Sequence, residues 1–193
     1  MYLDKEKLKN SISIWEEKLK GYSLPSWEQL PGIDLYMDQV LSLLEMYLGI
    51  YYEMADSQKF ITASMINNYV KLNIIPAPQK KKYSKKHIAY LLIVCTLKQT
   101  LDMATIKKIL PLTDNDEEIK AIYTSFTKNQ RKSYDYVTEN VRKISDPLLE
   151  FEGDNPERIN DLILQVASTA NVFKILTERI TKLTEEEQQW TYI

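Results

Sequence analysis

ITASMINNYVKLNIIPAPQKKKYSKKHIAYLLIVCTLKQTLDMATIKKIL, Ile61 to Leu110, is the stretch whose reading decides the fold. It reads as a helix, a short hairpin and two further helices. Thr62 is placed to cap the first helix, because its side-chain oxygen can accept a free amide from the opening turn. On a helix from Ala63 to Leu72, the residues Met65, Ile66, Tyr69 and Val70 gather on one side and Ser64, Asn67, Asn68 and Lys71 on the other. Pro76 and Pro78 forbid helix next, and the residues up to Tyr83 suffice for a small hairpin with Lys80, Lys81 and Lys82 at its tip. Ser84 then caps a helix containing IAYLLIVC, Ile88 to Cys95, which is apolar all round and therefore central to a core. Asp102 caps the last helix of the stretch and Pro111 ends it.

Charge separates this region from the rest. From Ser57 to Leu101 there are eight lysines (Lys59, Lys71, Lys80, Lys81, Lys82, Lys85, Lys86 and Lys98) and no Asp or Glu. Residues 1–56 carry a net −5 and residues 113–193 a net −6, within a whole-chain charge of −2. A concentrated positive field on a near-neutral protein suits a polyanion, although a lysine run can also be a solvated loop.

The remaining composition narrows the class. The chain has 193 residues, 44% hydrophobic, enough for a proper core in one domain or in a domain with an appendage. Four glycines are few for sheets and tight hairpins, so the fold is expected to be mainly helical. A single cysteine, Cys95, excludes an internal disulfide and a cysteine-cluster metal site. His87 and Cys95 on one apolar helix form neither a metal set nor a catalytic pair, and a structural role is expected for both. The first residues lack an apolar signal core, and the longest apolar run is far short of the roughly 20 residues that span a bilayer. No membrane association and a cytoplasmic location are expected.

Before the decisive stretch, residues 3–20 place Leu8, Ile12, Trp15 and Leu19 on one helical stripe, with Gly21 as a stop. Leu24 to Gly32 is a connector. From Asp34, a plausible cap, one long helix is expected through Glu53, followed by a loop near residues 56–60. After Pro111 a helix starting near Asp114 or Asn115 would turn Ile119, Ile122, Tyr123 and Phe126 inward. A second would carry Tyr134, Val137, Val141 and Ile144 and stop before Pro147. Residues 149–156 form a connector. Pro156 suits the first position of a final helix, along which Ile159, Ile163, Val166, Ala170, Phe173, Leu176, Ile180 and Leu183 recur at spacings of three and four. That row fits either a seam between subunits or packing against the preceding helices.

The outward face of the Ala63–Leu72 helix is suited to nucleic acid. Asparagine offers a donor and an acceptor side by side, matching the edge of adenine, while Ser and Lys reach phosphates. Lysines at a hairpin tip reach sugar and phosphate in an adjacent groove.

The order of elements resembles the winged helix-turn-helix of the MerR family, whose pattern runs T-L-R-Y-Y-E-x-x-G-L-L-x-P, a wing ending in Tyr, and a helix bearing I-x-x-L-x-x-I-x-x-L-K. Met65 to Pro78 takes the first part, Tyr83 resembles the tyrosine that closes the wing, and Ile88, Leu91, Val94 and Leu97-Lys98 follow in step. The Arg and first Tyr of the family's R-Y-Y are Asn67 and Asn68 here, and its glycine is Asn73. These departures leave the docking mode as the resemblance's implication and set its sequence preference aside. The effector-binding cysteines of the metal-sensing members are missing. DLYMDQV, MINNYVK, KKKYSKKHIAYL and LKQ are more closely similar to a family of uncharacterised Gram-positive bacterial proteins, domain of unknown function 1836, over about Leu24 to Leu112.

The expected fold is therefore mainly α: an N-terminal amphipathic helix over residues 1–23, a MerR-like winged helix-turn-helix domain with a small β-hairpin wing over 24–112, and a helical C-terminal region over 113–193 for dimerisation or effector binding. The expected function is a sequence-specific DNA-binding transcriptional regulator acting as a homodimer on an inverted repeat of double-stranded DNA. The expected contacts are Thr62, Ser64, Asn67, Asn68 and Lys71 on the helix, Lys80, Lys81, Lys82 and Tyr83 on the wing, and Lys85 and Lys86 after it. A protein-interaction module using the same basic face on an acidic partner is the alternative. No glycine-rich phosphate loop or activated nucleophile is present, so neither an enzyme nor a cofactor is expected. A small-molecule effector for the C-terminal region stays open.

Overall fold

The computed structural model describes residues 5–52, 60–149 and 156–190. Its described residues form eight helices: α1 (Lys5–Gly21), α2 (Met37–Tyr47), α3 (Gly49–Tyr52), α4 (Ala63–Lys71), α5 (Lys85–Leu97), α6 (Met103–Ile109), α7 (Asp116–Leu149) and α8 (Pro156–Trp190). The chain divides into two compact units, residues 23–129 and residues 1–22 together with 130–193. Among the described residues no helix is long and apolar enough to cross a membrane. The loop expected near residues 56–60 and the connector after α7 lie largely outside the described residues, as does Lys59.

In the unit of residues 23–129, α5 is the centre. Every residue from His87 to Cys95 is buried, as its uninterrupted apolar sequence requires. Around it lie Val40, Leu44 and Leu48 of the α2 segment, Ile66 and Tyr69 of α4, and Ile106 of α6, all buried. Truncating one of the fully buried leucines, Leu91→Ala for instance, removes packing worth about 2–5 kcal/mol. Two tyrosines tie the periphery to this core. The Tyr90 hydroxyl donates to the Pro111 carbonyl at 2.9 Å and accepts the Thr113 amide at 3.0 Å. The Tyr123 hydroxyl donates to the Pro25 carbonyl at 2.8 Å, and its ring lies 6.2 Å from that of Trp27. With Ile119 and Tyr123 fully buried, the unit reaches Asn129 and does not stop at residue 112.

The β-hairpin wing does not form, and the winged fold is corrected accordingly. Among the described residues there is no strand, only the isolated antiparallel bridges Gln79↔Lys82 and Leu35↔Tyr83. The next hydrogen-bonded pair of a ladder continued from Gln79 and Lys82 would be Ala77 with Ser84, and its groups are used elsewhere: the Ser84 amide donates to His87 Nδ1 at 3.0 Å and the Ala77 carbonyl accepts from His87 Nε2 at 3.2 Å. On the outer edge of the turn Leu35 N donates to Tyr83 O at 2.9 Å and Tyr83 N to Leu35 O at 2.8 Å. The same bridge shortens the helix expected from Asp34. Leu35 is extended, Tyr36 is the N-cap, and its amide donates to Gln39 Oε1 at 2.9 Å. That helix also breaks at Leu48, which separates α2 from α3.

In the second unit, α1 is held to the C-terminal part of α7 by two arginines. The Arg142 guanidinium binds both carboxylate oxygens of the buried Glu16 at 2.7–3.0 Å and reaches Ser13 Oγ at 3.1 Å. Arg131 Nη1 donates to the carbonyls of Leu19, Lys20 and Tyr22 at 2.9–3.1 Å, which neutralises the open carbonyl end of α1. Asp135, one turn on, pairs with Arg131, which holds its carboxyl below the usual range. The two helices expected between residues 114 and 147 are one continuous helix, and Pro147 lies inside its last turn. That proline removes one bond, the one an amide there would give to the Lys143 carbonyl, and so close to the helix end little of the ladder lies beyond it.

Candidate nucleic-acid interface

α4 is a short helix with well-defined ends. Thr62 Oγ1 accepts the Met65 amide at 3.3 Å, as the sequence suggests. At the other end Asn73 takes the left-handed conformation, φ 53°. Its amide donates to Val70 O at 3.0 Å and that of Ile74 to Tyr69 O at 2.9 Å, the paired bonds of a Schellman stop. Asparagine tolerates this backbone better than most residues with a side chain.

Between these ends Ile66 and Tyr69 are buried, and Ser64, Asn67, Asn68 and Lys71 are exposed. The spacing i, i+3, i+4, i+7 sets the four polar side chains on one face. Met65, grouped with the apolar side by its sequence spacing, is exposed at its edge, 3.9 Å from the ammonium of Lys98. The inward face and the stop fix the rotation of α4, so the polar row points outward by construction.

Seven residues farther on, Lys80 and Lys81 form the tip of a tight two-residue turn. Gln79 and Lys82 exchange both backbone hydrogen bonds, at 3.1 and 2.8 Å, and the two central lysines have φ of 48° and 62°. Turns of this kind need positive φ at both central positions and usually hold Asn or Gly. Lysine gains nothing for the turn itself and costs about 1 kcal/mol at each position, so the tip carries its two charges at a backbone cost.

The other basic residues are arranged differently. Lys82 stands 5.1 Å from the ring centroid of Tyr36 and Lys85 5.6 Å from that of Trp27, cation–π contacts that orient the ammonium groups and leave their charge intact. Lys86 lies 3.8 Å from both Asp114 and Asp116, so part of its charge is offset. Lys98 turns inward. Tyr83 is buried with its ring 5.6 Å from His87 and presents nothing to a ligand. Thr62 acts as a cap. The outward charge thus comes from Lys71, Lys80, Lys81, Lys82 and Lys85.

Sequence reasoning missed Tyr36 and Trp27 as the rings beneath two lysines, and Asp114 and Asp116 as the partners of a third. These residues are remote in the chain, and no local pattern announces them. It also missed Lys107, whose ammonium donates to the Leu72 carbonyl at 2.9 Å and closes the end of α4.

Burial pushes the Cys95 thiol up to about 12, so it is not a nucleophile. Both ring nitrogens of His87 are engaged, with Ser84 and with the Ala77 carbonyl. No group of metal-ligating side chains is assembled among the described residues.

A family model described as "Domain of unknown function (DUF1836)" matches residues 25–126. That span takes in α4, the lysine turn and α5, and its limits lie close to those of the 23–129 unit. No curated protein and no solved structure matches the chain.

Proposed function

We propose that this chain, which belongs to the DUF1836 family, is a sequence-specific DNA-binding transcriptional regulator. In this reading α4 lies in the major groove, with Asn67 and Asn68 against base edges and Ser64 and Lys71 toward phosphates. Lys80 and Lys81 at the turn hold the backbone, helped by Lys82 and Lys85. The observation that carries the reading is the exposed row Ser64, Asn67, Asn68 and Lys71 on a helix fixed at both ends, followed directly by a turn that keeps lysines at two left-handed positions. An asparagine pair supports base recognition better than a purely lysine surface would, because its amide can bond an adenine edge with a donor and an acceptor together.

The test is fluorescence anisotropy of the purified chain with random-sequence duplex DNA across a salt series, beside selection of tight binders from a random pool. Binding that weakens with salt at a log–log slope of up to about −4.5 per bound chain, from five lysines at about 0.9 each, is expected. An enriched motif is expected from the selection. Absence of duplex binding at low salt would overturn the reading and favour an acidic protein partner for the same face.

A further inference from the structure

We propose that α8 is the surface through which two copies of this chain pair. Ile163, Val166, Phe173, Leu176, Ile180 and Leu183 are between 42% and 54% exposed, although they recur at the three-and-four spacing of a helix seam. Leu164, Val172 and Ile175, off that seam, are between 55% and 64% exposed. From Leu162 to Phe173 the helix carries no charged residue, whereas a stretch of that length at the chain's 27% charged content would hold about three. A helix apolar on more than one side and uncharged through its middle is not a solvated helix.

Its own unit covers little of it. Leu162 and Thr181 are buried, and the Phe173 ring meets that of Tyr136 edge-on at 6.4 Å. Tyr136 and Val137 of α7 are exposed and widen the apolar surface beyond α8.

A second copy fits this surface on two grounds. The seam's period asks for a facing helix with the same period, and this chain carries one. The six seam side chains with Tyr136 and Val137, at roughly 80 Å² apiece, offer about 640 Å², most of the roughly 800 Å² that each partner contributes to a stable interface. A two-fold pair is the simplest closed arrangement of one self-complementary patch. The pairing rests on α8 and stands or falls separately from DNA binding by residues 62–85.

The experiment is sedimentation equilibrium on the full chain over a wide range of concentration, with far-UV circular dichroism alongside. Wild type is expected at twice the 22.7 kDa chain mass, dissociating on dilution. Val166→Glu with Leu176→Glu is expected to give the single-chain mass with unchanged helical signal, because both positions are open to solvent in the single chain. Phe173→Ser, a milder change, is expected to weaken pairing at least tenfold and serves if the double variant loses helix. Wild type at single-chain mass throughout would overturn the proposal and leave the surface to a partner of different sequence. Variants that keep their helix and pair as tightly as wild type would overturn it as well.

Discussion

Lys98 and Phe60 are joined twice: the ammonium donates to the Phe60 carbonyl at 2.8 Å and stands 4.6 Å from the centroid of the same residue's ring. Burial lowers the Lys98 pKa from the ordinary lysine value, with the Cys95 thiol a smaller, opposing influence. This lysine belongs to the basic block by sequence, yet it braces the chain just ahead of α4, while Lys107 holds the Leu72 carbonyl at the other end. Lys98→Met should therefore cost about 1–2 kcal/mol, from the lost charge-assisted hydrogen bond, and leave the salt slope of DNA binding unchanged. Thermal melts and anisotropy titrations of the one variant check both halves. A slope reduced as much as by Lys71→Ala would mean that Lys98 meets the ligand after all.

If the turn binds DNA as proposed, stability and binding should respond oppositely to changes at its tip. Lys80→Asn with Lys81→Gly places at the two positive-φ positions the residues that such turns prefer. Relief of about 1 kcal/mol at each position should raise the melting temperature by about 4–8 °C. DNA affinity should fall for every sequence alike, with the salt slope smaller by about 2. If the double variant bound DNA as well as wild type, the tip would have no part in the interface.

Base reading and phosphate anchoring on α4 should also part company. Asn67→Ala or Asn68→Ala is expected to cost about 1–3 kcal/mol on the selected motif and little on random duplex. Lys71→Ala is expected to weaken both together and to remove about one unit of salt slope. Selection repeated with each variant reads the outcome directly. An unchanged motif for both asparagine variants would remove α4 as the reading element.

What was legible in the sequence follows the range of the interactions. The Thr62 cap, the inward Ile66 and Tyr69, the outward Ser64, Asn67, Asn68 and Lys71, and the all-apolar α5 are set by neighbours within a turn or two, and spacing alone reveals them. The wing failed because His87 takes the Ser84 amide and the Ala77 carbonyl that its next pair would need, while Tyr83 closes a bridge with Leu35 that no local pattern foretells. The same bridge displaced the start of α2 from Asp34 to Met37. Among the lysines, sequence could count charge and could not assign it. Lys71, Lys80 and Lys81 face solvent, Lys86 meets two aspartates, and Lys98 points inward, differences that come from packing across the unit.

His87 is the chain's one histidine, so it dominates any change in stability near neutral pH. The Ser84 amide donates to its Nδ1 at 3.0 Å and the Ser84 hydroxyl lies 2.8 Å from the same atom, which makes Nδ1 the acceptor. The proton then sits on Nε2, which donates to the Ala77 carbonyl at 3.2 Å and ties the Pro76–Pro78 segment to α5. Burial lowers the His87 pKa below 6.5. The Ala77 bond opposes that shift, the charge of Lys86 adds to it, and the charge of Asp34 opposes it. A second proton would have to go on Nδ1, facing the Ser84 N–H. The unfolded chain takes up that proton near pH 6.5 and the folded chain only at lower pH. Stability from this site is therefore complete above about pH 7 and is lost as pH falls through 6.5 toward the folded-state value. Urea midpoints at about pH 7.5 and about pH 5.5 should differ in wild type by clearly more than in His87→Gln, which has no imidazole to titrate. An equal difference in the two proteins would show that the neutral, doubly bonded imidazole does not control the segment before the lysine turn.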